Sequence, residues 1–214
     1  MLRLYNDQDS GNSYKIRLLL TRLGIAFERI DIDLVGGETR TERFRARNPL
    51  GQAPFVEFDD GRVLAESNAI LWYLAEGSEF LPDERWARAQ ILQWMSFEQY
   101  RIEPNIGTPR FWITMLGLGD ERRIEIERKR EAGRTALTVL DRHLAHRTFV
   151  AGERYTIADM TLFGYTHLAD EAGYRLADYP AIDAWIARIQ AEPRHAPISA
   201  ELGHAIPWPE ARTP

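Results

Sequence analysis

Hydrophobic periodicity changes once along the chain, at residues 77–83, and the two sides of that change predict different structures. Before it, short alternating apolar runs typical of strands are interleaved with stretches in which apolar residues recur every three or four positions, as in helices. The predicted order is strand (3–5), helix (13–23), strand (26–33), short helix (39–47), hairpin (55–64) and helix (68–76). Strands alternating with helices in this way predict an α/β domain over residues 1–77.

Beyond residue 83 every strong pattern is helical. Helices are expected at 86–99, 121–146, 157–172 and 181–191, with a short last one at 193–202. Pro104 is expected to end or kink the first helical stretch, because proline has no N–H to continue the hydrogen-bond ladder. We therefore predict a thioredoxin-like domain with a mixed four-stranded sheet at 1–77, followed by an all-helical domain at 84–214.

A capping motif opens the helix that begins at residue 157. Thr156 stands at the N-cap position and Asp159 three residues later, with Tyr155 and Met160 placed to pack as a hydrophobic staple. Thr-x-x-Asp also invites a catalytic interpretation. The capping interpretation accounts for all four residues, so we expect a structural role.

Residues 51–75 carry the strongest functional signal. The hairpin leads to Glu66 and Ser67, which stand where the following helix begins. A helix start presents unpaired N–H groups and partial positive charge, which suit a carboxylate, and Glu66 can pair with an ammonium. A ligand with both groups on one carbon, such as an amino acid or a γ-glutamyl end, fits this pair. The alternative is that Ser67 only caps the helix.

The stretch NPLGQAP (48–54) runs directly into the hairpin and adds a second motif. Followed by ESNAI (66–70), it resembles the glutathione site of the glutathione transferase superfamily, which carries N-P-x-G-x-x-P and then E-S-x-A-I at the third helix. The resemblance covers nearly the whole chain and points to bacterial, serine-type enzymes of the theta-, zeta- or nu-like kind. It implies the two-domain architecture predicted above, glutathione as co-substrate and a cis Ala53–Pro54 bond.

The resemblance also implies which residues hold glutathione. The backbone of Ala53 is expected to pair with the extended peptide, as in β-augmentation. Gln52 and Arg40 are candidates for the glycine carboxylate, and Thr39 fits the family position about as well as Arg40. The expected glutathione-binding set is Arg40, Gln52, Ala53, Pro54, Glu66 and Ser67.

The thiol is expected at the loop that leads into the first helix. A thiol of this kind has a pKa of about 8.5, so a hydroxyl donating to the sulfur and the helix dipole are needed to favour the thiolate at neutral pH. Tyr5 lies too far back along its strand. Alignment with serine-type enzymes places Ser10 on the catalytic serine and Asn12 where cysteine-type bacterial enzymes carry their cysteine, and Ser13 is a third candidate. The alternative is that Ser10 or Ser13 only caps the first helix.

A second substrate is expected to bind beside the first helices of the helical domain. Aromatic residues with a few polar groups suit a moderately hydrophobic electrophile. The residues expected to line this pocket are Tyr100, Asn105, Arg110 and Trp112.

Composition narrows the function classes. Lys+Arg 27 against Asp+Glu 32 gives a net charge of −5 with no basic block, so nucleic acid is not an expected partner. No apolar run reaches the length of a membrane span and the chain opens with a strand pattern, so we expect a cytoplasmic protein. The absence of cysteine excludes an enzyme thiol nucleophile and thiolate metal ligands, and no metal site is expected.

The expected function is therefore glutathione transfer to a small electrophile, as in detoxification. The same site can support peroxidase, dehalogenase or isomerase reactions. A glutathione-binding module without catalysis is the alternative of a different class. The resemblance further implies a homodimer in which each small domain packs against the partner's helical domain. The expected interface consists of the helix at 68–76 and the helices at 85–100, where Trp72, Trp86 and Trp94 add aromatic area.

Overall fold

The computed structural model describes residues 1–208 and divides the chain into two compact units. The first contains residues 1–74 and the described part of the segment from Ala196, and the second is Ala75–His195. The predicted helical domain includes that last segment, whereas the structure places it with the first unit. Residues 209–214 of the predicted helical domain lie outside the described residues.

The first unit is built on a mixed sheet, as predicted. Its strands within the described residues are β1 (Leu2–Asn6), β2 (Phe27–Asp31), β3 (Phe55–Glu57), β4 (Val63–Ala65) and β5 (His204–Ala205), in the spatial order β4-β3-β1-β2-β5. β1 pairs parallel with β2 and antiparallel with β3. The fifth strand extends the four that were predicted. It is two residues long, which is too short to leave a periodic pattern in the sequence.

Three α-helices accompany this sheet: α1 (Gly11–Leu23), α2 (Glu42–Arg45) and α3 (Ser67–Ala75). A 3-10 turn at Glu38–Arg40 precedes α2, so the helix predicted at 39–47 is two short pieces. The break between them is at Thr41, whose extended backbone and side chain cap α2 by accepting from the Phe44 N–H.

The core of the first unit is aromatic. Tyr5, Ile30, Ile32, Phe44 and Phe55 are all buried in one cluster. The rings of Tyr5 and Phe55 stack at 4.0 Å on neighbouring strands, and Phe44 meets Phe55 edge-on at 5.3 Å. These contacts attach α2 to the sheet, which matters because α2 follows the turn that carries Arg40.

The second unit is helical, as predicted. Its α-helices are α4 (Arg85–Phe97), α5 (Thr108–Arg110), α6 (Arg123–Leu144), α7 (Ile157–Thr166) and α8 (Pro180–Gln190). Wide π-helical segments at Glu98–Gly107 and Phe111–Met115 continue the path on either side of α5. The helix was expected to end or kink at Pro104. It does not end there, because the π-helical segment at Glu98–Gly107 continues past this proline.

The capping motif at the start of α7 is confirmed. The Asp159 carboxylate accepts from the Thr156 N–H at 3.0 Å, and the Thr156 hydroxyl accepts from the Ala158 N–H at 3.3 Å. Asp159 also accepts from the Val150 N–H at 2.9 Å and the Trp185 indole N–H at 3.0 Å, so one fully buried carboxylate joins three parts of the unit. Its role is structural, as expected.

The short helix expected at 193–202 does not form. Residues 196–202 instead offer backbone carbonyls to side chains of the first unit, namely to Gln8, Arg17 and Arg29. A carbonyl directed at a side chain outside its own segment is lost to an α-helical ladder, so these contacts compete with helix formation.

Candidate functional site

Ser10 lies at the N-terminus of α1, where the sequence places the catalytic hydroxyl. Its backbone is extended (φ −76°, ψ 123°), and its Oγ accepts from the Ser13 N–H at 3.4 Å as an N-cap. A hydroxyl has one proton and two lone pairs. Capping uses a lone pair, so the O–H of Ser10 keeps its proton for donation to a ligand.

The other hydroxyls near this loop have different tasks. Ser13 is fully buried, and its Oγ accepts from the Asp7 N–H at 3.1 Å, so this hydroxyl points towards the loop. Tyr5 is fully buried, its hydroxyl donates to Glu57 Oε2 at 2.8 Å, and burial raises its pKa to about 12. The expectation that Tyr5 lies too far back for thiol chemistry agrees with this placement.

Asn12 and Ser67 join the two helix starts on which the predicted site depends. The Ser67 hydroxyl donates to Asn12 Oδ1 at 3.2 Å, which brings the N-terminus of α3 against that of α1. One turn further along, the Lys15 ammonium donates to Asn68 Oδ1 at 2.8 Å. The thiol-side and γ-glutamyl-side candidates, 55 residues apart in sequence, are therefore neighbours.

Glu66 has the left-handed backbone conformation, with φ +66°. Such a conformation is uncommon for a residue with a side chain and is found mainly at turns and functional sites. Its carbonyl accepts from the Ile70 N–H at 2.9 Å and so starts the helical ladder of α3, while its side chain is exposed. A ligand with an ammonium and a carboxylate on one carbon needs an anionic partner for the ammonium and N–H donors for the carboxylate. The exposed Glu66 carboxylate and the start of α3 can supply these two partners.

The loop that carries Gln52 is shaped by Asn48, which is buried. Its Nδ2 donates to the Gln52 carbonyl at 2.6 Å, and its Oδ1 accepts from the Leu50 N–H at 3.3 Å. Gly51 has φ +64°, and a Cβ there would lie 3.0 Å from the Thr39 carbonyl, so this loop passes close to the turn at 38–40. The Ala53–Pro54 bond that follows is cis, as the resemblance implies.

The residues expected to bind the glycine carboxylate of glutathione lie where the loop at 48–52 passes the turn at 38–40. Arg40 and Gln52 have exposed side chains, whereas Thr39 is 9% exposed. Of these three residues, Arg40 and Gln52 are therefore the ones with exposed polar side chains. That Arg40, Gln52, Ala53 and Pro54 bind glutathione remains a prediction.

A buried hydrogen-bond network that the sequence pattern did not predict lies beneath the Ser10 loop. The guanidinium of Arg17, which is fully buried, donates to Asn6 Oδ1 at 2.5 Å, and Asn6 Nδ2 donates to Asp31 Oδ1 at 2.7 Å. Burial first, and then the nearby Arg29 charge, lower the pKa of Arg17 to about 10. The available signal was an arginine within the apolar run of α1.

The residues predicted to line a second-substrate pocket fall within the second unit. Tyr100 is 76% exposed, and the Asn105 amide donates to the Arg101 carbonyl at 2.9 Å. Arg110 is buried and its Nε donates to Glu171 Oε2 at 2.7 Å, so this guanidinium is already engaged. The guanidinium of Arg122 lies 4.5 Å from the ring centre of Trp112. The pocket itself stays a prediction.

Membrane-spanning helices and metal-binding clusters are both missing from residues 1–208. Within that range no helix is long and apolar enough to cross a membrane. In the same range, no group of three or more histidine, cysteine, aspartate or glutamate residues is placed to hold a metal ion.

Family models match both units. Residues 1–76 match the model described as Glutathione S-transferase, N-terminal domain, and residues 124–188 match Glutathione S-transferase, C-terminal domain. Among curated relatives, the chain is 33% identical over 180 residues to elongation factor 1-gamma of Artemia salina, which covers 79% of this chain and 40% of that protein. The chain therefore spans well under half the length of that elongation factor.

Other relatives match over nearly their whole length. Glutathione S-transferase 3 of Zea mays is 31% identical and covers 97% of this chain and 96% of that protein. The crystal structure of a glutathione S-transferase from Pseudomonas fluorescens Pf-5 is 48% identical with a TM-score of 0.90, covering 92% and 98% of the two chains. A second family member from that organism, solved with two glutathione bound, is 28% identical with a TM-score of 0.78 over 90% and 89%.

Proposed function

Since this chain belongs to the glutathione S-transferase family, we propose that it is a glutathione transferase. It binds glutathione as co-substrate, favours the thiolate form of the thiol and directs that thiolate at a small, moderately hydrophobic electrophile. In the reaction the S–C bond forms, the bond to the leaving group breaks, and the thiol proton passes to water. The bound glutathione in a relative from Pseudomonas fluorescens supports the choice of co-substrate.

The observation that carries the proposal is the hydrogen bond between Ser67 and Asn12 at 3.2 Å. It puts the start of α3, suited to the γ-glutamyl carboxylate, next to the start of α1, suited to a thiolate. Glutathione presents these two groups within one short peptide. The nearby cis Ala53–Pro54 bond adds a third family feature on the same unit.

Ser10 is the donor we propose for the thiolate, with Asn12 as the alternative. Ser10 retains a donor proton while it caps α1. Asn12 uses its carbonyl oxygen to accept from Ser67, which leaves its NH₂ group as a second candidate donor. Ser13 is the weakest of the three, since its hydroxyl is buried and turned to the Asp7 N–H.

The test measures glutathione affinity by calorimetry and turnover against pH with a chloronitrobenzene acceptor. Ser10→Ala is expected to raise the kinetic pKa of the bound thiol towards about 8.5, and each increase of about 1 in that pKa lowers turnover at slightly acid pH about tenfold. Glutathione affinity should change much less. Ser96→Ala is the matched control, because Ser96 is an exposed serine on α4.

The comparison with Asn12→Ala separates the two donors. If Asn12→Ala shifts the pKa and Ser10→Ala is nearly silent, Asn12 is the donor. If purified protein neither binds glutathione nor turns over any acceptor, the proposal is wrong.

The substrate class is the open part of this proposal. Conjugation, hydroperoxide reduction, dehalogenation and isomerisation share the glutathione site and differ in the electrophile pocket. We propose that Tyr100, Asn105, Arg110 and Trp112 line that pocket. A screen of one acceptor from each class, followed by Tyr100→Ala with the best one, tests both points. A changed preference among acceptors with constant glutathione affinity supports the assignment.

A non-catalytic glutathione-binding or interaction module is the second candidate. The likeness to elongation factor 1-gamma of Artemia salina favours it, since that relative carries a name from a different function class. Normal glutathione binding without any rate above background would support this candidate. A clear rate in the acceptor screen would exclude it.

We also propose a cytoplasmic homodimer that acts in detoxification. Trp86 and Leu92 on α4 are 69% and 54% exposed, which supports an apolar contact surface there, whereas Trp94 is buried in its own unit. A stable dimer buries at least about 1,000 Å² in total. Sedimentation at micromolar concentration should therefore give about twice 24.7 kDa, and a purely 24.7 kDa species would contradict it.

A further inference from the structure

The described end of the chain forms a strap, residues 196–208, that lies on the first unit. It contains no helix, and β5 is its only strand. The Tyr14 hydroxyl of α1 donates to the Ala196 carbonyl at 2.7 Å, at the beginning of the strap. From there the strap contacts two parts of the first unit: the loop that carries Ser10, and α2, which follows the turn that carries Arg40.

The first attachment is to the Ser10 loop. Gln8, two residues before Ser10, donates through Nε2 to the Ile198 carbonyl at 2.7 Å and to the Ala200 carbonyl at 3.2 Å. The amide oxygen of Gln8 is buried and has no hydrogen-bond partner among the described residues. The two bonds to the strap are therefore what orients this side chain.

Arg17 reinforces that attachment. Its NH2 group donates to the Gln8 carbonyl at 2.9 Å and to the Ile198 carbonyl at 3.0 Å, and its NH1 group donates to the Asp7 carbonyl at 3.2 Å. One fully buried guanidinium thus holds the loop and the strap together. Withdrawal of the strap would leave a buried N–H donor without its carbonyl, which is unfavourable. Loop geometry and strap docking therefore depend on each other.

The second attachment is to α2. The Trp208 ring lies 5.9 Å from the ring of Phe44 and meets Tyr5 edge-on at 5.0 Å. The guanidinium groups of Arg43 and Arg47 lie 4.7 Å and 5.6 Å from the Trp208 ring centre. Arg43 lies on α2 and Arg47 two residues beyond its end, so these cation–π contacts hold α2 and the residues just after it against the Trp208 ring. α2 directly follows the turn that presents Arg40.

The middle of the strap has a defined register. β5 pairs parallel with β2, with Arg29 opposite Ala205, and the Ile206 N–H donates to the Arg29 carbonyl at 2.9 Å. Gly203 has φ +83°, and a Cβ there would lie 2.4 Å from the Phe27 ring, so only glycine allows this close approach. The two attachments are consequently at fixed positions along one segment.

We propose that the strap is a positioning device that couples the thiol side of the glutathione site to its glycine side, with Gln8 and Trp208 as positioning residues. Because coupling between sites is reciprocal, bound glutathione stabilises strap docking, and a docked strap favours glutathione binding. The functional part of this proposal, the coupling between the strap and glutathione, rests on the proposed glutathione site. The mechanical part, in which the strap holds the Ser10 loop and α2 in place, does not depend on that site.

The mechanical part is tested by hydrogen–deuterium exchange on the full chain without ligand. Gln8→Ala should raise amide exchange about tenfold or more in the strap and in the loop at 9–13. Gln190→Ala, the same change at an exposed position on α8, should leave both segments unchanged. Trp208→Ala should raise exchange at 42–46, and Trp208→Phe should restore most of the protection, since it keeps a ring on Phe44. Unchanged loop and α2 exchange in both alanine variants overturns the proposal.

The coupling is tested with glutathione as the probe. Saturating glutathione should slow strap exchange in the wild type, and Gln8→Ala should weaken glutathione binding and raise the kinetic pKa of the thiol while Gln190→Ala does neither. A strap that loosens in Gln8→Ala with affinity and pH profile unchanged is merely structural, and that result rejects the coupling. Failure of the proposed function looks different: the wild type then binds no glutathione, while the exchange measurements without ligand still decide the mechanical part.

Discussion

Asp159 offers a quantitative test of how one buried carboxylate holds the helical unit together. It is fully buried and accepts from the Val150 and Thr156 N–H groups, the Thr156 hydroxyl and the Trp185 indole N–H, at 2.9 to 3.1 Å. Asp159→Ala leaves three buried N–H donors without an acceptor. At about 1–3 kcal/mol each, the gross loss is about 3–9 kcal/mol.

An opposing effect reduces this loss. Burial raises the pKa of the Asp159 carboxyl from 3.8 to about 6, in spite of the donors that favour its charged form. This difference of about 2.2 in pKa means that ionising the Asp159 carboxyl costs about 3 kcal/mol more in the folded protein than in the unfolded chain. Subtracting this cost from the gross loss leaves a net destabilisation for Asp159→Ala at pH 7 of about 0–6 kcal/mol, centred on about 3 kcal/mol.

The assay is urea unfolding followed by helical circular dichroism, with ΔG from linear extrapolation. Thr156→Ala, which loses one capping hydroxyl, should cost about 1–2 kcal/mol. Asp183→Ala, the same deletion at an exposed position of α8, should stay within about 0.5 kcal/mol. An Asp159→Ala variant more stable than the wild type at pH 7 would show that the buried donors find other partners.

The pH dependence of the same difference gives an independent check. Because the folded-state pKa of Asp159 is raised, the folded protein binds its proton more tightly than the unfolded chain between pH 3.8 and about 6. The stability advantage of wild type over Asp159→Ala should therefore shrink as pH rises through this window and level off above about 6. An advantage that grows with pH would mean that the four donors outweigh burial, and would refute the reasoning.

Two further predictions follow from single contacts. Ser67→Ala removes the hydroxyl that donates to Asn12 at the start of α3, so it should weaken glutathione binding about 2- to 10-fold, as expected for the loss of a hydrogen bond between neutral groups, with turnover at saturation less affected. Calorimetry and a comparison of kcat with KM check this prediction, and equal losses of turnover and affinity would mark Ser67 as chiefly a cap that stabilises the fold. Gly133→Ala in α6 would place a Cβ 2.0 Å from the Tyr174 hydroxyl oxygen, so it should destabilise the protein by about 1–3 kcal/mol in spite of alanine's better helix propensity. Adding Tyr174→Phe should recover part of that loss in urea unfolding, and a double variant no more stable than Gly133→Ala would show that the hydroxyl is not the obstacle.

Much of the fold could be predicted from local pattern. The change of periodicity at 77–83, the strands around the hairpin and the capping motif at Thr156 and Asp159 are all encoded within a few residues of where they act. The proximity of Ser10 and Ser67 to helix starts was predictable for the same reason, because capping chemistry is local.

The errors fall where distant residues compete with a local preference. The pattern at 193–202 is compatible with a helix, but Gln8, Arg17 and Arg29 take its carbonyls. Pro104 has the local signature of a helix end, and a widened segment carries the path through it. Neither outcome is visible without knowing which residues from elsewhere in the chain arrive at these positions.

The sequence by itself therefore determined the element order, the two kinds of domain, the family resemblance and the motifs that start α1 and α3. The tertiary structure decided which of those motifs meet: Asn12 against Ser67, and the strap against both Gln8 and Phe44. The physical reason is range. Periodicity and capping depend on neighbours within a turn or two of backbone, whereas a hydrogen bond between residues separated by 55 or 190 positions depends on how the whole unit packs.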